Sequence, residues 1–169
     1  MSETAILPRE ADPELQRARV LVVDRTSMGQ LICRMLSDHY VLDTATDALS
    51  AVRMLNRESP DVVIADIDIP GSGTRLAELM AMSPKHRSIP VILTSSRPIP
   101  RGAIRARLAG AKALLVKPFR PQQLRARVAA LLRRTNGGDG TLSRAEVGEQ
   151  VREGVAQIED LPTFPTTYT

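Results

Sequence analysis

Apolar residues gather in five short runs, and each is followed by a turn and a stretch with helical spacing. The first run is Arg19-Val20-Leu21-Val22-Val23, and after Asp24-Arg25-Thr26-Ser27 come Met28, Leu31, Ile32, Met35 and Leu36 at helical intervals. The unit repeats. Val41–Thr44 precedes a helix carrying Ala48, Ala51, Val52 and Leu55; Asp61–Asp66 precedes a loop and a helix around Leu76–Met82. Val91–Ser95 precedes a helix near Arg101–Leu108, and Ala113–Val116 precedes Lys117-Pro118-Phe119 and a helix over about 121–134.

Strands alternating with helices predict an α/β fold, and several of these strands are apolar on both faces. That is the pattern of a doubly wound parallel five-stranded sheet covered by helices on both sides. Such sheets bind ligands at the carboxyl ends of their strands. Asp24 lies just beyond the first strand, Asp66 ends the third, Ser95 ends the fourth and Lys117 lies just beyond the fifth. Two carboxylates, a hydroxyl and an amine therefore converge on one crevice.

Past residue 134 the pattern changes. Residues 135–140 hold Asn136-Gly137-Gly138-Asp139-Gly140, a linker without side chains that need to pack. Ser143-Arg144-Ala145-Glu146 reads as a capping box, and Val147, Val151, Val155 and Ile158 form one apolar stripe. This predicts a C-terminal amphipathic helix over 141–159, followed by a proline-bearing tail over 160–169.

Charge sharpens the division. The net charge of +4 hides an acidic tail over 1–16, a basic body over 17–134 and an acidic end over 135–169. Between Glu78 and Asp139 there is no acid and there are thirteen Lys and Arg. This is either solvated arginine-rich composition or a basic face for an acidic partner. Aromatic residues are only 2%, which argues against base-stacking modules and makes nucleic acid an unlikely partner. Cys33 is alone, so disulfide frameworks and multi-cysteine metal sites are excluded, and it is expected to pack. No apolar run approaches membrane-spanning length and the first residues lack a signal core, so a cytoplasmic location is expected. His39 and His86 are isolated and surface-prone, and no Walker loop, G-x-G-x-x-G or H-E-x-x-H occurs.

Four motifs carry a resemblance: VVD at 22–24, DIDIPG at 66–71, PVILTSS at 90–96 and GAKALLVKPF at 110–119. With them, residues 17–134 resemble the receiver domain of bacterial two-component response regulators, the CheY-like (βα)5 fold. The resemblance implies strand order 2-1-3-4-5. It also implies that Asp66 accepts a phosphoryl group from a sensor histidine kinase or phosphotransfer protein. Lys117 would pair with the phosphate, and a cis bond to Pro118 would aim its loop. Ser95 would be the hydroxyl that bonds a phosphate oxygen, with Thr94 as its rival. Such a module is no metabolic enzyme; at most it promotes transfer to its own Asp66.

The chain departs from the family at the metal site. Receivers usually carry two adjacent acids after the first strand, which bind Mg²⁺ with the acceptor. Here the pair is Asp24-Arg25, and a guanidinium offers no lone pair to a cation. Asp24, Asp66 and the backbone carbonyl of Asp68 are left as a weakened set, unless Arg25 neutralises the carboxylates itself. The ring usual three residues before the lysine is Leu114 instead, and the Gly73 region is one residue short after Asp66. Three readings follow: an atypical phosphorylated receiver controlling an output domain, a phosphorylation-independent docking or homodimerisation module, and direct binding of nucleic acid or anionic lipid through the 97–134 basic face. The closing Leu161-Pro162-Thr163-Phe164-Pro165-Thr166 resembles, over few residues, the opening of HDOD output domains, which makes 160–169 the start of a truncated output.

Overall fold

The computed structural model describes residues 17–97 and 109–137. β1 (Arg19–Val23), β2 (Val41–Ala45), β3 (Val62–Asp66), β4 (Val91–Ser95) and β5 (Ala113–Val116) form one parallel sheet in the order β2-β1-β3-β4-β5. Four helices are described: α1 (Ser27–Leu36), α2 (Ala48–Arg57), α3 (Gly73–Met82) and α4 (Pro121–Gly137). The expected helix near Arg101–Leu108, the tail over 1–16, the end of the linker and everything after it, including 141–159, lie outside the described residues.

Alternation along each strand sends side chains into two aliphatic layers. Leu21, Val23, Val63, Ala65, Val91 and Leu93 face Ala51 and Leu55 of α2 and Leu76 and Met80 of α3. Val20, Val22, Val62, Ile64 and Ile92 face Ile32 and Leu36 of α1 and Leu124, Val128 and Leu131 of α4. β3 is buried at all five positions, which explains its unbroken apolar run. Leu114 packs against the α2–α3 layer, where it fills space without a ring.

Helix starts obey their capping residues. Thr26 caps α1 by accepting from the Met28 amide, and Asp47 caps α2 by accepting from the Ser50 amide. At the other end of the sheet Arg19 joins three segments: its guanidinium bonds Asp43 of β2 at 2.8 Å and Glu58 after α2 at 2.6 Å. Its backbone amide donates to Asp61. Two sequence readings change. α4 runs to Gly137, so Thr135–Gly137 is helix rather than linker, with the Thr135 hydroxyl donating to the Leu132 carbonyl. His86 is buried rather than surface-prone, with Nδ1 3.2 Å from the Ser83 hydroxyl; His39 is exposed as expected.

Candidate functional site

The parallel register brings the strand ends together. Asp66 pairs in register with Thr94, and backbone bonds carry the ladder one residue further: Ile67 donates to Thr94 and Lys117 donates to Ser95. Asp24 is held the same way by its amide on the Ala45 carbonyl. These bonds fix where Asp24, Asp66, Ser95 and Lys117 leave the sheet.

Lys117 is the centre of the cluster. Its Nζ donates to Asp24 Oδ2 at 2.8 Å and to Asp66 Oδ2, and the three side chains are 8%, 1% and 7% exposed. The other oxygen of each carboxylate is also held. Asp24 Oδ1 accepts from the Thr26 amide at 2.7 Å and the Thr26 hydroxyl at 2.6 Å, and Asp66 Oδ1 accepts from the Asp68 amide at 2.7 Å. The Lys117–Pro118 peptide bond is cis.

Burial by itself would raise the pKa of Asp24, yet the hydrogen bonds from Lys117 and Thr26 prevail and hold it below the usual carboxylate value. Burial would likewise lower Lys117, and its bonds to Asp24 and Asp66 prevail to raise it. The signs fix a pH window. Asp24 contributes stability above the ordinary aspartate range that is lost as pH falls through its lowered pKa. Lys117 contributes stability that is lost only as pH rises through its raised one.

Ser95 and Thr94 are both fully buried but differently engaged. The Ser95 hydroxyl donates to the Arg97 carbonyl at 2.9 Å and accepts from the Arg97 amide at 3.2 Å. The Thr94 hydroxyl has no hydrogen-bond partner among the described residues. Arg25 is exposed and makes no ion pair with a described residue, so it does not neutralise the carboxylates; Lys117 does. Asp68 is exposed and joins through its amide, and its carboxylate adds nothing to the cluster. Among the described residues no group of three or more His, Cys, Asp and Glu side chains suits a metal ion.

The sequence reading gave Thr26 no role and noted Gly73 only for its spacing after Asp66. Thr26 was legible as a capping residue two after Asp24, but its grip on Oδ1 depends on the turn. Gly73 starts α3 so close to β3 that an added Cβ would lie 2.2 Å from the Asp66 carbonyl oxygen. The loop thus presses the helix onto the backbone of β3, with Ser72 at φ +68° completing the turn. Gly73→Ala is expected to lower stability by about 2 kcal/mol, read from urea unfolding. An unchanged midpoint would show that the loop has room to retreat.

A buried lysine joins two carboxylates at the carboxyl ends of a 2-1-3-4-5 sheet, the flavodoxin-like α/β order that signalling receivers share. Residues 20–129 match the response regulator receiver domain family, and the chain belongs to that family. It is 33% identical over 153 residues to the phosphate regulon transcriptional regulatory protein PhoB of Escherichia coli, covering 89% of this chain and 62% of PhoB. It is 32% identical over 119 residues to the response regulator PleD of Caulobacter vibrioides, covering 69% of this chain and 26% of PleD. The chemotaxis response regulator CheY4 of Vibrio cholerae superposes with a TM-score of 0.64 at 27% identity, over 68% of this chain and 98% of CheY4. The chain spans 62% of the length of PhoB and less of PleD. No described helix is long and apolar enough to cross a membrane.

Proposed function

We propose that this chain is a cytoplasmic receiver module that takes a phosphoryl group onto Asp66 from a histidine kinase or phosphotransfer protein and controls an output domain. The observation that carries this reading is the buried Asp24–Lys117–Asp66 cluster at the open end of the sheet. In the step, an Asp66 carboxylate oxygen attacks the phosphorus of a phosphohistidine. The P–O bond forms as the P–N bond breaks, and the imidazole leaves with the bond's electron pair. Such transfer needs alignment and neutralised charge more than covalent help. Lys117 supplies a fixed cation beside the incoming oxygens. Ser95 is the hydroxyl next to the site, and turning it toward a phosphate oxygen means giving up both bonds to Arg97.

Two carboxylates and a carbonyl fit Mg²⁺, which binds few protein ligands and keeps several waters. Asp24, Asp66 and the Asp68 carbonyl would hold it, and the ion would offset negative charge on the phosphoryl oxygens. The set is weak because Lys117 already holds both carboxylates and Arg25 stands where a second acid is usual. Arg25→Asp is therefore expected to tighten Mg²⁺ roughly tenfold in titration calorimetry, since a nearby cation becomes an anion. Unchanged affinity would mean that position 25 does not reach the ion.

The same saturation favours a second reading, a docking module that is never phosphorylated. Incubation with a small phosphodonor and Mg²⁺, followed by intact mass, separates the two. A gain of one phosphate supports transfer; no gain at any Mg²⁺ concentration overturns it in favour of docking.

A further inference from the structure

We infer that the cleft beside Arg19, toward the amino end of the sheet and away from the carboxylate cluster, is a binding site for a free amino acid with an apolar side chain. The inference does not depend on whether Asp66 is phosphorylated.

The cleft lies where the face of β1 and β2 that carries α2 meets the last turn of that helix. Leu21 of β1, in register with Asp43 of β2, gives it an apolar lining together with Met54 of α2 and Pro60. Leu21 and Pro60 are buried and Met54 is half-buried against the core, so this lining is held in place. The volume is about 210 Å³. That falls short of the roughly 300 Å³ at which drug-sized sites begin, so the cleft suits a small metabolite rather than a nucleotide.

Its polar lining carries both signs, and each sign is left partly unanswered. Arg19 Nη2 is shared by Asp43 at 2.8 Å and Glu58 at 2.6 Å, so one guanidinium faces two carboxylates and the trio keeps a negative charge. Asp61, on the Arg19 backbone amide, adds another nearby. The carboxyl end of α2 lies here too, where the helix dipole favours a cation. These groups call for an ammonium. Arg57 calls for the opposite, because it lines the cleft, is exposed and makes no ion pair with a described residue. Arg19 Nε is a buried donor without an acceptor among the described residues, and it also favours a carboxylate.

A ligand that joins an ammonium, a carboxylate and an apolar group at one carbon answers all three parts of the cleft. A polypeptide end offers only one of the two charges, and a simple carboxylate meets Asp43 and Glu58 with nothing to offset them. The occupant is therefore the free amino acid.

Titration of the full 169-residue chain with L-leucine, followed through amide chemical shifts by NMR, tests the inference. Shifts at Leu21, Met54 and Arg57 are expected to saturate in the low millimolar range. Isocaproate lacks the ammonium and isoamylamine lacks the carboxylate, and each should bind roughly fivefold or more weakly. Glycine, without an apolar group, should produce no shift at the same concentrations. Arg57→Ala and Glu58→Gln, both at exposed positions, should each weaken leucine roughly two- to fivefold. Absence of saturable shifts at the cleft would overturn the inference, as would affinity indifferent to both substitutions. Isocaproate or isoamylamine binding as tightly as leucine would overturn it in favour of a ligand of one charge.

Discussion

Asp66→Asn is expected to leave the intact mass unchanged after exposure to a phosphodonor and Mg²⁺, while the parent chain and Asp68→Asn each gain one phosphate. The amide keeps the shape of the side chain but has no anionic oxygen to attack phosphorus. Asp68 is the control of choice, because it is the other acid of the loop, is exposed, and touches the cluster only through its backbone amide. Fold loss does not confuse the result, since Asp66→Asn removes one of two like charges and leaves Lys117 paired with Asp24. A phosphate gained by Asp66→Asn would assign the acceptor to another residue.

The second large effect is expected at Lys117. Lys117→Met leaves two carboxylates, 1% and 7% exposed, without their shared cation, and should cost about 3 kcal/mol at neutral pH. The loss should shrink in acid. Without the ammonium, Asp24 keeps the burial that disfavours its charge and loses the hydrogen bond that offsets it, so its uptake of a proton relieves the variant. The parent chain moves the other way, because it loses the contribution of its lowered Asp24 as pH falls. Urea midpoints at pH 7 and pH 4 read this out. Equal midpoints for variant and parent at pH 7 would mean that the lysine's desolvation cancels its pairing.

The central strands were legible because the apolar runs of β1, β3 and β4 are buried almost throughout, whereas the edge strands β2 and β5 are only partly covered. The runs at 19–23, 91–95 and 113–116 are the observed strands, and β2 and β3 differ by one residue at an end. The four polar strand ends were legible for the same reason, since topology alone sends them to one edge. What joins them was not. The bond between Lys117 and Asp24 spans 93 residues, and no local pattern shows that one amine will hold both carboxylates. Arg25 illustrates the limit. Its chemistry excludes it as a ligand from sequence alone, but its direction depends on the turn capped by Thr26, and it faces solvent. α4 runs past its expected end because helical bonding continues through Thr135, where the polar composition suggested a break.

Consider finally where the described chain enters and leaves the sheet. Arg17 precedes the amino end of β1, the edge that Arg19 clamps, and α4 starts beside the crevice and runs back toward that same edge. The charge of Arg133 reaches Tyr40, which lies just before β2 begins. Anything attached at Gly137 therefore hangs about 25 Å of helix away from Asp66. An attached domain at that exit starts a helix-length from the carboxylate cluster, so a change at Asp66 reaches it as a shift of α4 or by the chain doubling back.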